Sequence, residues 1–283
     1  MERMSKNDRN LNLERVLSII LRMKTKLPET IFFEDELNDE FSTATIQARK
    51  IDKNYRYLHK TIFGEILHFL CYRVIATPIA KIYLKAKFHH KIVGKEKMKE
   101  VKDTGYFLYG NHTQQMADAL IPSFVAFPKG VYVIVHPNNV SMKVFGKVTP
   151  YLGALPLPDD LGAMKNFLKA IEKRLDQKKA ICIYPEAHIW PYYTKIRPFT
   201  EKSFHYPVKY QKPVFCFTNT YQKRKNGKVQ IITYIDGPFY PDPNLKQRED
   251  MERLRDLCYE AMVRESQKNT IEVIRYERKK END

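Results

Sequence analysis

From about residue 87 onward, short apolar runs alternate with stretches of helical periodicity, and this alternation constrains the fold more than any other feature. Gly105–Tyr109, VYVIVH at Val131–His136, AICIY at Ala180–Tyr184 and PVFCFT at Pro213–Thr218 read as strands. Ala119–Phe127 reads as a helix. Leu161, Met164, Phe167, Leu168, Ile171 and Leu175 place one apolar face on a second helix, with Lys165, Lys169, Lys173 and Arg174 on the other. Leu152–Pro158 is a short strand or turn, Val229–Ile235 an edge strand, and Met251, Leu254, Leu257, Cys258 and Met262 mark a final helix. Strands interleaved with helices predict an α/β fold with a mixed, largely parallel sheet flanked by helices.

The first 86 residues lack this texture and read as a helical, amphipathic arm ahead of a domain over residues 87–283. Leu13, Val16, Leu17, Ile20 and Leu21 recur at helical spacing. An acidic patch, FFEDELNDEF from Phe32, opens a polar segment that reads as irregular up to Tyr57. The stretch Thr61–Phe88 is apolar but interrupted by Glu65, Arg73 and Lys81. It therefore falls short of a transmembrane span and reads as an interfacial segment, kinked or broken at Pro78.

A formal charge of +16, from 49 Lys and Arg against 33 Asp and Glu, predicts an anionic partner or a solvated basic surface. The basic residues are dispersed and compose no nucleic-acid motif, so nucleic acid is not expected as a partner. Cys71, Cys182, Cys216 and Cys258 are widely spaced and read as reduced thiols rather than a disulfide framework or zinc site. The N-terminal MERMSKNDRN lacks the apolar region of a signal peptide.

Two stretches carry chemistry. In YFLYGNHTQQMADALIPSF, from Tyr106, His112 follows a strand and Asp118 opens a helix. The ends of α/β strands are where reactive groups are placed, and a carboxylate can orient an imidazole base there. The same two residues could equally cap a turn and a helix. In YPEAHIWPYYTKIRPF, from Tyr184, Glu186 and His188 follow another strand, with Lys195 and Arg197 within reach of an anion. That stretch also fits a basic surface loop anchored by Trp190.

Together these stretches resemble the glycerolipid acyltransferase superfamily, whose best-known members are the 1-acylglycerol-3-phosphate acyltransferases. Asn111-His112 with Asp118 resembles the family's N-H-x4-D block. Gly153-Ala-Leu-Pro-Leu-Pro158 resembles the glycine-containing block, Tyr184-Pro185-Glu186 the F-P-E-G-T-R block, and Lys212–Phe217 the V-P-I-V-P strand. The order and approximate spacings agree from about residue 90 to 220. Two departures stand out: His112 and Asp118 are spaced H-x5-D, and the third block reads E-A-H-I, with Ile189 where the family has arginine.

The resemblance implies acyl transfer from a thioester, acyl-CoA or acyl-carrier protein, to a glycerolipid hydroxyl, with lysophosphatidate as acceptor. His112 is then the general base and Asp118 its orienting carboxylate. Asn111, Gly153, Glu186 and His188 are expected at the substrate, Gly153 beside the oxyanion, and Lys195 and Arg197 at the acceptor phosphate, chiefly Arg197. No metal or organic cofactor is called for. The implied setting is peripheral, at an anionic membrane surface on the cytoplasmic face of the cell membrane. Two other classes fit the residues: a metal-dependent hydrolase with His112, Asp118, Glu186 and His188 as ligands, and a non-catalytic basic binder.

Overall fold

The computed structural model describes residues 29–41, 47–58, 61–143 and 145–279; the helix expected around Leu13–Leu21 lies outside them. A seven-stranded sheet organises the chain. Its strands are β2 (Lys91–Val93), β3 (Tyr106–Gly110), β4 (Val131–Val135), β5 (Ala154–Pro156), β6 (Ala180–Ile183), β7 (Val214–Lys223) and β8 (Val229–Phe239), in the order β2-β8-β7-β3-β6-β4-β5. Neighbours run parallel except β7 and β8, which form an antiparallel hairpin. The sheet is thus mixed and largely parallel, and β3 and β6, buried along their whole lengths, read as continuous apolar runs because helices cover both faces.

One face is covered by α1 (Ile62–Phe88) and α2 (Ala117–Val125), which pack Tyr83, Leu84, Ile121 and Val125 against Leu108, Cys182 and Phe215. The other is covered by α3 (Leu161–Asp176), α4 (His205–Tyr210) and α5 (Gln247–Ser266), which bring Phe167, Ile171, Tyr206, Leu254 and Cys258 against Phe107, Tyr109 and Ile181. Alternation along each strand sends successive side chains to opposite faces, which is why Phe107 and Leu108 belong to different halves of the core.

Three sequence expectations are corrected. Val229–Ile235 is not at an edge: β8 lies between β7 and β2, a three-residue strand too short to announce itself. The segment up to Tyr57 is not irregular throughout: β1 (Thr30–Phe33) pairs with β9 (Arg275–Arg278), and Ile51 and Tyr57 sit in the main core. The apolar stretch after Thr61 is not broken at Pro78. It is one helix of 27 residues, about 40 Å long at 1.5 Å per residue, and so long and apolar enough to cross a membrane. A π-helical turn at Leu70–Ala76 precedes the proline, and the Thr77 N–H and hydroxyl both donate to the Tyr72 carbonyl. The wide turn accommodates a residue that has no N–H and would crowd the preceding carbonyl.

α1 packs Tyr72, Ala80, Tyr83 and Leu84 on the domain and turns Ile62, Phe63, Phe69, Val74, Ile75 and Ile82 outward, Ile62 being 81% exposed.

Candidate active site

The site is built at the carboxyl end of β3. Gly110 ends the strand; a Cβ there would sit 2.2 Å from the Phe217 ring, so only glycine lets β7 pack against this turn. Asn111 follows, 1% exposed, and its side-chain amide pairs with the Asn219 backbone on β7: Oδ1 accepts from the amide N–H at 2.8 Å and Nδ2 donates to the carbonyl at 3.1 Å. Both ends of this amide are engaged, so Asn111, expected at the substrate, instead clamps the loop to the sheet.

His112 Nδ1 lies 2.9 Å from Asp118 Oδ2. Residues 113–116 run as a loop and turn before α2 starts at Ala117, so the extra residue of H-x5-D is taken up where the chain is irregular. Asp118 Oδ2 also accepts the backbone N–H groups of Thr113 and Gln114, both at 2.7 Å, and Oδ1 accepts from Asn219 Nδ2 at 3.2 Å. The His112 ring stacks on Tyr184, 4.4 Å between centroids, and the Tyr184 hydroxyl donates to the Asp118 carbonyl at 2.5 Å. With Nδ1 held by the carboxylate, Nε2 is the ring nitrogen left for a substrate proton. Burial pushes the Asp118 carboxyl up, against the opposing pull of His112 and the two amides. Burial also pushes the Cys182 thiol well up, with the Asp118 charge adding to it, so this cysteine stays protonated.

Asn219 was not visible as a site residue in the sequence, and neither was the chain behind it. Its Oδ1 accepts from the Thr233 hydroxyl at 2.6 Å, and His90 Nε2 lies 2.8 Å from the same Thr233 oxygen. Burial holds the His90 imidazole down at about 4. Its folded value lies below the ordinary 6.5, so the unfolded chain takes up the proton first. Stability is therefore present near neutral pH and lost as pH falls from about 6.5 toward 4. The loss amounts to about 3 kcal/mol at 1.4 kcal/mol per unit. Denaturant unfolding across this window is expected to show a flatter pH slope in His90→Gln than in wild type; equal slopes would show that His90 is not the titrating group.

Glu186 and Arg197 meet beneath the His112 loop. Glu186 is 3% exposed, its Oε2 accepts the His112 N–H at 3.4 Å, and the same oxygen lies 3.4 Å from Arg197 Nε. Burial pushes the Glu186 carboxyl up while Arg197 pulls it down. Arg197 is 1% exposed, donates to the carbonyls of Glu36 at 3.2 Å, Glu186 at 3.1 Å and His188, and lies over the Trp190 ring. This corrects the expectation of a phosphate ligand: the guanidinium is spent inside the protein, bracing Glu186 and the loop. Lys195 is exposed, whereas His188 turns to Glu40, Nδ1 lying 3.1 Å from its Oε2. Ala187, where the family has glycine, sits at a φ of 62°, the left-handed conformation that glycine adopts freely.

Gly153 does not reach the site. Register aligns Ala154 with Val133, Cys182 and Leu108, so Gly153 is level with Phe107, five residues before His112 and three strands from β3. Strand spacings of about 4.8 Å and rises of about 3.3 Å put it roughly 20 Å away. Its N–H already closes a turn onto Pro150 and Thr149, its φ is 89°, and a Cβ would lie 2.5 Å from the Val131 carbonyl oxygen. It is a turn glycine, not an oxyanion donor. Among the described residues no group of three or more His, Cys, Asp or Glu converges on a metal position, and His112, Asp118, Glu186 and His188 do not form one.

Comparisons with known proteins bear on the fold and the family. No curated protein matches the sequence. The fold is similar to the crystal structure of the 1-acyl-sn-glycerophosphate (LPA) acyltransferase PlsC from Thermotoga maritima, with a TM-score of 0.51 at 17% identity, over 76% of this chain and 85% of that one. The acyltransferase family model matches residues 89–241, more than half of the 283 residues. That span begins before β2, ends beyond β8 and contains the His112–Asp118 pair, and by this match the chain belongs to the acyltransferase family.

Proposed function

We propose that the protein transfers an acyl group from a thioester, acyl-CoA or acyl-carrier protein, to the free hydroxyl of lysophosphatidate, giving phosphatidate for phospholipid synthesis. The observation that carries the reading is the 2.9 Å contact between His112 Nδ1 and a buried Asp118. Nε2 takes the proton of the acceptor hydroxyl as its oxygen attacks the thioester carbonyl. The tetrahedral intermediate collapses, the carbon–sulfur bond breaks, and the thiolate leaves with the proton from the imidazolium. Asp118 stabilises the charged ring between these steps. No acyl-enzyme forms. Lys195, the exposed cation of the third motif, faces the acceptor phosphate in this reading. The outward face of α1 rests on an anionic membrane at the cytoplasmic side, its other face held by the domain, and the basic surface adds attraction.

The test is a purified-protein assay with acyl-CoA and acyl-carrier protein as donors and paired acceptors with and without the phosphate, products read by mass spectrometry. Phosphatidate is expected. Preference for the unphosphorylated acceptor would remove lysophosphatidate while leaving acyl transfer; no acylated product from any pair would remove the reading.

A further inference from the structure

At the opposite end of the strands from His112, a cavity of about 430 Å³ opens between the start of β4, the carboxyl end of α3 and the first half of α1. Arg73, Arg174 and Lys179 line it, and Glu65 is the carboxylate among them. The cations outnumber what the protein supplies to neutralise them. Arg174 is 2% exposed, lies over the Tyr132 ring, and spends one terminal nitrogen on Gln177 at 2.8 Å and Glu65 at 3.4 Å. Its buried Nε has no hydrogen-bond partner among the described residues, nor has Arg73 Nη1. Burial holds the Lys179 ammonium down, and the charges of Arg73 and Arg174 add to this against the opposing pull of Glu65.

We infer that this cavity is a second, non-catalytic site for a phosphate monoester. Three cations against one carboxylate leave about two positive charges, and a phosphate monoester carries about −1.5 to −2 near neutral pH. Guanidinium N–H groups left without a protein partner in one cavity lining suit phosphate oxygens. The half-buried Arg73 and Lys179 reach the ligand, and Arg174 supplies charge from behind. Phe69, 56% exposed, forms part of the wall and continues into the outward apolar face of α1. The phosphate can therefore belong to the headgroup of phosphatidate, whose chains would follow that face, or to a soluble ion. The site lies on other elements than the His112 loop, and the inference does not depend on acyl transfer.

The experiment compares wild type, Arg73→Gln/Lys179→Gln, and a charge-matched control, Lys165→Gln/Lys169→Gln, at two exposed lysines on α3. Binding is measured to phosphatidylcholine vesicles with and without phosphatidate, and to inorganic phosphate by calorimetry. The cavity variant is expected to lose at least about tenfold in affinity for phosphatidate vesicles, the scale of one charge-assisted hydrogen bond, while the control stays near wild type. Binding to pure phosphatidylcholine, which reads the apolar face alone, is expected to stay the same. Loss in the vesicle arm alone identifies a lipid headgroup; loss in the calorimetric arm as well shows that the free ion suffices. Equal losses in both double variants, or no loss in either arm, would overturn the site. If the double variant is not folded, Lys179→Glu alone reads the same arms, with the same outcomes.

Discussion

His112→Ala is expected to lower acyl transfer by at least about a hundredfold, the scale of losing a general base, with the fold retained. The loop is held without the ring: Asp118 Oδ2 still accepts the Thr113 and Gln114 N–H groups, and the Asn111 amide still pairs with the Asn219 backbone. Asp118→Asn is expected to cost a comparable factor for a different reason. An amide can still accept from Thr113 and Gln114, but it can no longer stabilise the imidazolium, and its NH₂ then faces the Asn219 Nδ2 donor. The two effects are not additive, since both remove the same unit. Asn219→Ala separates positioning from chemistry. It takes away the donor to Asp118 Oδ1 and the acceptor for Thr233, so kcat is expected to fall with little change in donor KM. Near-normal turnover in a folded His112→Ala protein would sink the assignment.

Arg197→Ala is expected to act on stability before activity, with a loss of about 3–5 kcal/mol, because it leaves Glu186 as an uncompensated buried charge. For a chain of this size that lowers the melting temperature by roughly 10 °C. The guanidinium also ties the third motif to the segment around Glu36, so the Phe33–Trp190–Tyr276 aromatic stack would lose its brace. Thermal unfolding of Arg197→Ala alongside the double variant with Glu186→Gln reads this directly: neutralising the carboxylate is expected to recover part of the loss. A normal melting temperature with a selectively raised KM for a phosphorylated acceptor would instead return Arg197 to the substrate.

The reason Arg197 looked like a ligand lies in what sequence reports. Eleven residues after Glu186 in a basic, aromatic stretch, it has the chemistry of a phosphate fork, and nothing local says that its side chain is covered. What covers it comes from residues 161 positions earlier, through the Glu36 carbonyl, and from the pairing of Thr30–Phe33 with Arg275–Arg278. Gly153 shows the same limit in another form. Its place in the motif order was legible, but distance from His112 is set by strand order and register, and these depend on pairings between segments far apart in the chain.

What the sequence determined by itself was local. The longer strands and helices follow from apolar periodicity and the ends of β3 and β6 from Gly110 and Pro185, and six positions of separation put His112 and Asp118 within reach of one another without deciding that they meet. Tertiary structure alone decided which groups stand behind that pair. Asn219 reaches Asp118 across 101 positions because β7 pairs with β3, and His90 joins through β2, a strand of three residues, beside β8. It likewise decided that Glu186 and Arg197 neutralise one another under the loop, and that Arg73 shares a cavity with Arg174 and Lys179, about a hundred positions later. Side-chain charge is written in the sequence, but whether a charge meets solvent, a partner or a ligand is fixed by what packs over it.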